Sequence, residues 1–313
     1  MKAILLNNFG AAGNLFVSEI PVPEIGDDEV LVQVKAISIN PIDVKTRSGK
    51  GLAARLKDER PLVLGWDISG IVQKTGDQVS RFKTGDHVFG MVNFPGHGKA
   101  YAEYVPAPAS HLAFKPANIT FEEAAAGTLA ALTAWQAFTR HIEIKAGNRV
   151  LIHAASGGVG HFAVQIAKHL GAYVIGTSSA GNREFVLSLG ADEHVDYQSQ
   201  KPEAVTSNMD VVLDTIGGDT IDQSLEMMKP GGTIISLPSG MNESVTEKAA
   251  ARGMVGKRMS VQSNGNDMLA LSRLFDKGII RSHVSKTYAF EQMAEAHQHM
   301  ESGHTAGKIA IKL

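Results

Sequence analysis

The feature that most narrows the fold is a glycine-rich turn, Ala154-Ala155-Ser156-Gly157-Gly158-Val159-Gly160, standing between an apolar run and a helical pattern. Residues 149–155 read as a short buried strand. After the turn, Val159, Phe162, Ala163, Ile166, Ala167 and Leu170 recur at offsets of three, four, seven, eight and eleven, which is one face of a helix, and Gly171 follows as a C-cap. In a strand–turn–helix of this kind the glycines let the backbone approach a pyrophosphate, and the helix N-terminus turns unpaired N–H groups and a partial positive charge toward it. Ala154 occupies the first glycine position of that fingerprint. The expectation is a dinucleotide held by Ser156, Gly157, Gly158 and Val159; the competing explanation is that the glycines serve only tight helix–strand packing.

The surrounding sequence repeats the same unit. Strands are expected at 173–177, 193–197, Met209–Asp214 and 233–237, with helical faces at 185–189 and at Ile221, Leu225 and Met228, and the Lys229-Pro230-Gly231-Gly232 turn closes the last helix. Alternation of this kind specifies a parallel sheet with crossover helices, a Rossmann doubly wound domain. At the end of its second strand an Asp or Glu usually accepts from the ribose 2′-hydroxyl of NAD. Here Ser178-Ser179 stand in that place and Arg183 follows, so a 2′-phosphate meets hydroxyls and a cation. Tyr197 is placed to flank the adenine or donate to the same phosphate. The expected cofactor is therefore NADPH; the alternatives are a solvated Arg183 and a Tyr197 that only packs.

From Met1 to about residue 119 the pattern is different: short strands broken by Gly, Pro and Asp. In Glu29–Ile39, for example, Val30, Val32, Val34 and Ala36 share a face. This half reads as a compact β domain. A helix at 290–300 and a strand Lys308–Lys312 are expected to return to it, which gives one domain of 1–122 with 267–313 and a second of 123–266. At 313 residues both can bury a core. The formal charge of -2 and the absence of a basic run argue against nucleic acid, and no apolar stretch approaches the ~20 residues that span a bilayer. The apolar start Met1 to Leu6 runs into Asn7-Asn8, short of the ~7–15 residues of a secretory core. With no cysteine there is no disulfide, thiolate nucleophile or thiolate metal site. A cytoplasmic enzyme with a small-molecule substrate is expected.

Together with the glycine loop, Asn40-Pro41-Ile42-Asp43, Gly65-Trp66-Asp67, Ala100-Tyr101-Ala102-Glu103-Tyr104 and Gly307-Lys308 make the chain resemble the medium-chain dehydrogenase/reductase superfamily, and within it the zinc-independent, zeta-crystallin-like quinone oxidoreductases. The resemblance implies a GroES-like β domain joined to the Rossmann domain, a cleft between them, NADPH-dependent reduction of quinones or activated double bonds, and, as in many members, a homodimer. Metal-dependent relatives carry a zinc-binding Cys where Asn40 stands, a His where Trp66 stands, and a third ligand near Ala126-Gly127. None of these residues binds zinc, and a short loop, Asn93-Phe94-Pro95-Gly96-His97-Gly98, replaces the cysteine-rich lobe. His97, His153 and His161 lack ligand spacing.

Without a Lewis acid, hydride passes most easily to an acceptor already activated by conjugation, which points to quinones, enones and enals. The cofactor carries the chemistry and the protein orients it. The resemblance places Asn40 on the nicotinamide side, orienting a carbonyl or the ribose, although Asn-Pro with Asp43 in the first turn is also a helix N-cap. Trp66 either stacks on a flat acceptor or fills the core, Tyr101 either lines the cleft as a proton donor or follows strand alternation, and Thr133 lies either near the nicotinamide or simply inside a helix. Enoyl-thioester reductases of the superfamily carry a tyrosine shortly after the Asn-Pro segment, and Thr46-Arg47-Ser48-Gly49-Lys50-Gly51 has none, leaving water as the proton source. Two rivals stay open: an enoyl-thioester or other alkene reductase, and an NADPH-binding regulatory or structural protein with little catalysis.

Overall fold

The computed structural model describes residues 1–313. The chain divides into a unit of Met1–Leu132 with Val261–Leu313 and a second of Thr133–Ser260.

Both divisions lie inward of the expected 122/123 and 266/267. The helix Phe121–Ala126 belongs with the first unit. Thr120 caps it, its hydroxyl accepting from the Glu123 N–H at 3.1 Å while the Glu123 carboxylate accepts from the Thr120 N–H at 2.8 Å. Its buried face, Ala124-Ala125-Ala126, is small enough for close packing on the strands Glu29–Ile39 and Asp67–Thr75. At the other division, Ser263 accepts from the Phe94 N–H at 2.8 Å, and Asn264 caps the helix Gly265–Asp276 by accepting from Asp267 at 2.9 Å, so residues 261–266 go with the first unit too.

The main sheet of the first unit has 7 strands. Glu29–Ile39 is its spine, pairing antiparallel with Asp67–Thr75, with Tyr104–Pro108 and with the C-terminal strand Lys308–Lys312. Its alternation appears as expected: Val30, Val32, Val34 and Ala36 are buried. The returning strand sets Ile309 opposite Ile39, which fixes Lys308 at the end of the spine beside Asn40. Gly307 makes that entry possible. Its φ is 68°, and a Cβ there would meet the His283 carbonyl oxygen at 2.2 Å.

The second unit is a parallel sheet of 6 strands in the order Glu193–Asp196, Tyr173–Ser178, Arg149–Ile152, Met209–Asp214, Met228–Ser236, Val255–Arg258. That is the doubly wound order, which reverses between Arg149–Ile152 and Met209–Asp214; ligands of such sheets sit beyond the carboxyl ends at this reversal. Leu151, Ile175, Val212 and Ile234 form the core of the sheet with Ile221 and Leu225 from a covering helix. One detail departs from expectation: the helix Asp219–Met227 stops before Met228, which already pairs with Met209 in the sheet. The Lys229–Gly232 turn is thus an excursion within one strand, since Thr233 resumes pairing opposite Val211.

Candidate functional site

The glycine turn sits at the carboxyl end of the central strand Arg149–Ile152, on the side of the order reversal. Ala155 donates to the Thr177 carbonyl at 2.8 Å and Gly157 to the Ala154 carbonyl at 2.8 Å, which folds the turn back on itself. The N–H groups of Ser156, Gly158 and Val159 meet no acceptor, and they immediately precede the helix Gly160–His169. Orphan donors gathered at a helix N-terminus are the physical description of an anion cradle. Gly160 is required by space, because a Cβ on it would lie 2.1 Å from the Ala154 carbonyl oxygen. The geometry fits the pyrophosphate of a dinucleotide.

Beside the turn lies a pocket of about 260 Å³ lined in part by His153, Thr177, Tyr197, Ile216 and Thr220. Burial holds the His153 pKa down to about 4, so at neutral pH its ring is an uncharged link between the hydroxyls of Thr177 (3.2 Å) and Ser224 (3.0 Å). Tyr197 is 56% exposed, so packing does not account for it. Arg183 is exposed at the first turn of Arg183–Ser188 and enters no ion pair. Burial and then the Arg183 charge lower the pKa of His194, which places that charge near the strand ends. Of the two serines, Ser179 is half-buried and accepts from Asn182 at 3.2 Å, with its own hydroxyl proton unspent. Ser178 differs from expectation: it is buried, donates to the Ser179 carbonyl at 3.1 Å and lies 2.8 Å from His194 Nε2, so it shapes the strand end instead of presenting a free hydroxyl. Thr133 is buried within the helix Leu129–Gln136.

In the first unit, Asn40 is buried together with Asp43, Asp67, Tyr101 and Lys308. The Asn40 side-chain nitrogen donates to Asp67 at 2.7 Å, its oxygen accepts from the Lys308 ammonium, and its backbone N–H donates to Asp43 at 2.7 Å. The N-cap expectation is half met: Asp43 closes the first turn of Pro41–Arg47 from its side, but the Asn40 amide is turned away into this cluster. Burial, and after it the negative charge of Asp67, pushes the Asp43 pKa up to about 7. Burial also raises Asp67, opposed mainly by Lys308, and lowers Lys308, opposed by Asp67 and Asp43.

Trp66 and Tyr101 are both fully buried, as the core alternative for each would have them. The indole is fully buried, donates to the Gly96 carbonyl at 2.7 Å and packs edge-on against Phe94. Tyr101 is fully buried against Gly65, its hydroxyl 3.0 Å from His297, and burial drives its pKa far up. Sequence reasoning noted Lys308 only as part of a motif. A lysine opening the apolar strand Lys308–Lys312 just after a glycine was the available signal.

The histidines considered for metal are each engaged separately: His97 with the Val63 carbonyl at 2.7 Å, His153 as above, and His161 with the Gly157 carbonyl at 2.9 Å. No three His, Cys, Asp or Glu side chains are grouped as a metal ion requires. This donor set does not fit zinc.

Residues 26–117 match the family described as alcohol dehydrogenase GroES-like domain, and residues 189–311 match zinc-binding dehydrogenase. The NADPH-dependent alkenal/one oxidoreductase of Arabidopsis thaliana chloroplasts is 34% identical over 99% of this chain and 79% of its own length. The quinone oxidoreductase structure from Coxiella burnetii superposes with a TM-score of 0.95 at 37% identity, over 100% of this chain and 99% of its own. The Escherichia coli quinone oxidoreductase, solved as a complex with NADPH, gives 0.87 at 29% identity over 100% of both chains. Fold and glycine turn define a medium-chain dehydrogenase/reductase. The chain belongs to the zinc-independent branch of that superfamily, with the quinone and alkenal oxidoreductases, and is an oxidoreductase of the NAD(P)H-using kind.

Proposed function

We propose that the protein uses NADPH to reduce quinones and conjugated enones or enals. Three unpaired N–H groups at the sheet's order reversal, with an unpaired arginine at the neighbouring strand end, carry this reading. Ser156, Gly158 and Val159 would hold the pyrophosphate through their N–H groups, with Gly157 and Gly160 keeping the turn tight. Arg183 and Ser179 would take the 2′-phosphate, with Ser178 behind them, and Tyr197 would flank the adenosine. When bound, the reduced nicotinamide supplies the hydride. Thr133 and Asn40 would serve its reacting end, Asn40 by donating to the oxygen of a conjugated carbonyl. No residue set replaces a metal as Lewis acid, so activation must come from the acceptor's own conjugation.

The names of the relatives, an alkenal/one oxidoreductase and quinone oxidoreductases, support this class of acceptor. We also propose a homodimer, as in many members of the superfamily, and a cytoplasmic location on the ordinary composition of the chain. No helix is long and apolar enough to cross a membrane, and relatives include proteins named chloroplastic and mitochondrial.

The deciding measurement is a kinetic screen of quinones, enones, enals and simple alcohols with NADPH and NADH. Turnover of conjugated carbonyls with a preference for NADPH is expected. Tight NADPH binding with no oxidation by any acceptor would instead favour a regulatory protein.

A further inference from the structure

The Asn40 carboxamide is gripped at both ends by charges of opposite sign. Its oxygen accepts from the Lys308 ammonium and its nitrogen donates to Asp67 Oδ2 at 2.7 Å. A carboxamide is nearly symmetric in shape, and only its partners decide which way it points. Here a flip would set an NH2 group against an ammonium and a carbonyl against a carboxylate. Two charge-assisted bonds would become two repulsions within a buried cluster.

The two gripping groups are themselves fixed by backbone. Lys308 also donates to the Ile39 carbonyl at 3.0 Å and is held in register by the strand that pairs Ile309 with Ile39. Asp67 turns its other oxygen to the N–H of Leu129, at 3.0 Å, where the helix Leu129–Gln136 begins. Asn40 therefore cannot reorient without moving a strand end or a helix start. With these contacts made, one N–H of Asn40 Nδ2 has no partner. Buried donors are seldom left unpaired, so an acceptor is expected to reach it when a ligand is present.

We propose that Lys308 and Asp67 are positioning residues, which fix the Asn40 amide as an N–H donor aimed at the carbonyl oxygen of the acceptor. This rests on the function proposed above. In that reaction the dihydronicotinamide gives up a hydride and is oxidised to the nicotinamide cation. The hydride forms the new C–H bond at the conjugated carbon, the π electrons shift onto the carbonyl oxygen to give an enolate, and water supplies the proton that completes the product. The N–H meets the oxygen on which this charge gathers, and a donor locked in place in advance needs no reorganisation at that moment.

The test is a double-mutant cycle on Asn40→Ala and Lys308→Met, with kcat and KM measured for one quinone and one enone and the NADPH Kd measured separately. Each single change is expected to lower kcat on the order of 100-fold, the scale for one donor to a developing oxyanion, with the NADPH Kd unchanged. The double variant should lose no more than either single, because Lys308 acts through Asn40. Losses that multiply would overturn the proposal. NMR of the Asn40 side-chain NH2 in 15N-labelled protein supplies a readout independent of turnover. Two well-separated proton resonances are expected in the wild type, and they should move together or merge in Lys308→Met, or in Lys308→Arg should the first variant not fold. Resonances unaffected by either substitution would overturn the positioning role. Wild-type protein inert toward every acceptor would defeat the functional reading, while the amide resonances would still decide the positioning.

Discussion

Ala154 carries a backbone angle that most residues avoid, with φ at 47°. The left-handed region costs an L-residue roughly 1–2 kcal/mol, whereas glycine enters it freely. Holding the turn in this shape lets Gly157 and His161 take up their bonds while the N–H groups of Ser156, Gly158 and Val159 stay unspent. Gly160→Ala should deform it, because the added carbon collides with the Ala154 carbonyl, and affinities for NADPH and NADH should fall together by at least about tenfold. Isothermal titration of both nucleotides checks this, and a loss confined to one would show that the turn does not hold their common pyrophosphate. Arg183→Ala should behave oppositely, weakening NADPH by about 1.5–3 kcal/mol, the range for a charge-assisted bond, and leaving NADH nearly unchanged. Equal losses would remove the basis for NADPH preference. These loop residues were legible because strand, turn and helix face lie contiguous in sequence. The Asn40 cluster was not, since it joins residues 268 positions apart and only the strand pairing brings Lys308 to Asn40. For Trp66 and Tyr101 the sequence allowed a place in the cleft or in the core, and their complete burial becomes visible only in the packed chain.

Among the elements, the C-terminal helix Met293–Glu301 is held within the first unit by polar contacts: His297 with Tyr101 at 3.0 Å, and Glu301 with the buried Arg47. Burial, and then the Arg47 charge, holds the His297 pKa down to about 3. An unfolded histidine binds its proton near pH 6.5, so below that value the unfolded chain takes up protons that the folded one refuses, and stability falls as pH drops toward 3. The Asp43 carboxyl acts in the opposite sense. Its folded pKa of about 7 lies above the unfolded 3.8, so its contribution is complete below 3.8 and is lost as pH rises through 7. The difference between wild type and His297→Gln isolates the histidine. Urea unfolding should give a constant offset above about pH 6.5 and a divergence approaching about 1.4 kcal/mol per pH unit below it, the wild type losing more. Parallel curves would mean that His297 titrates normally. The helix itself was visible from periodicity. The expected 122/123 boundary falls inside the helix Phe121–Ala126, whose place in the first unit follows from its packing on Glu29–Ile39, a contact the local sequence does not show.

At the scale of the molecule, the chain keeps the two-unit architecture of the dehydrogenases whose family is described as zinc-binding, yet lacks the ligands that description implies. Asn40 is committed to Asp67 and Lys308, Trp66 is closed in the core, and Ala126-Gly127 offers no donor. Catalytic zinc takes three protein ligands, and no other grouping of His, Cys, Asp or Glu supplies them. The salt-linked Asn40 amide, proposed above to donate one N–H to the acceptor's oxygen, cannot polarise an alkoxide as a dication does. Such a site suits acceptors whose conjugation has already made them electrophilic, and it gives no help in drawing hydride from a simple alcohol. Exhaustive dialysis against a chelator should therefore leave the rate of NADPH-dependent quinone reduction undiminished, and added zinc should not raise it. A large loss on chelation that zinc restores would require a ligand set which these residues do not provide.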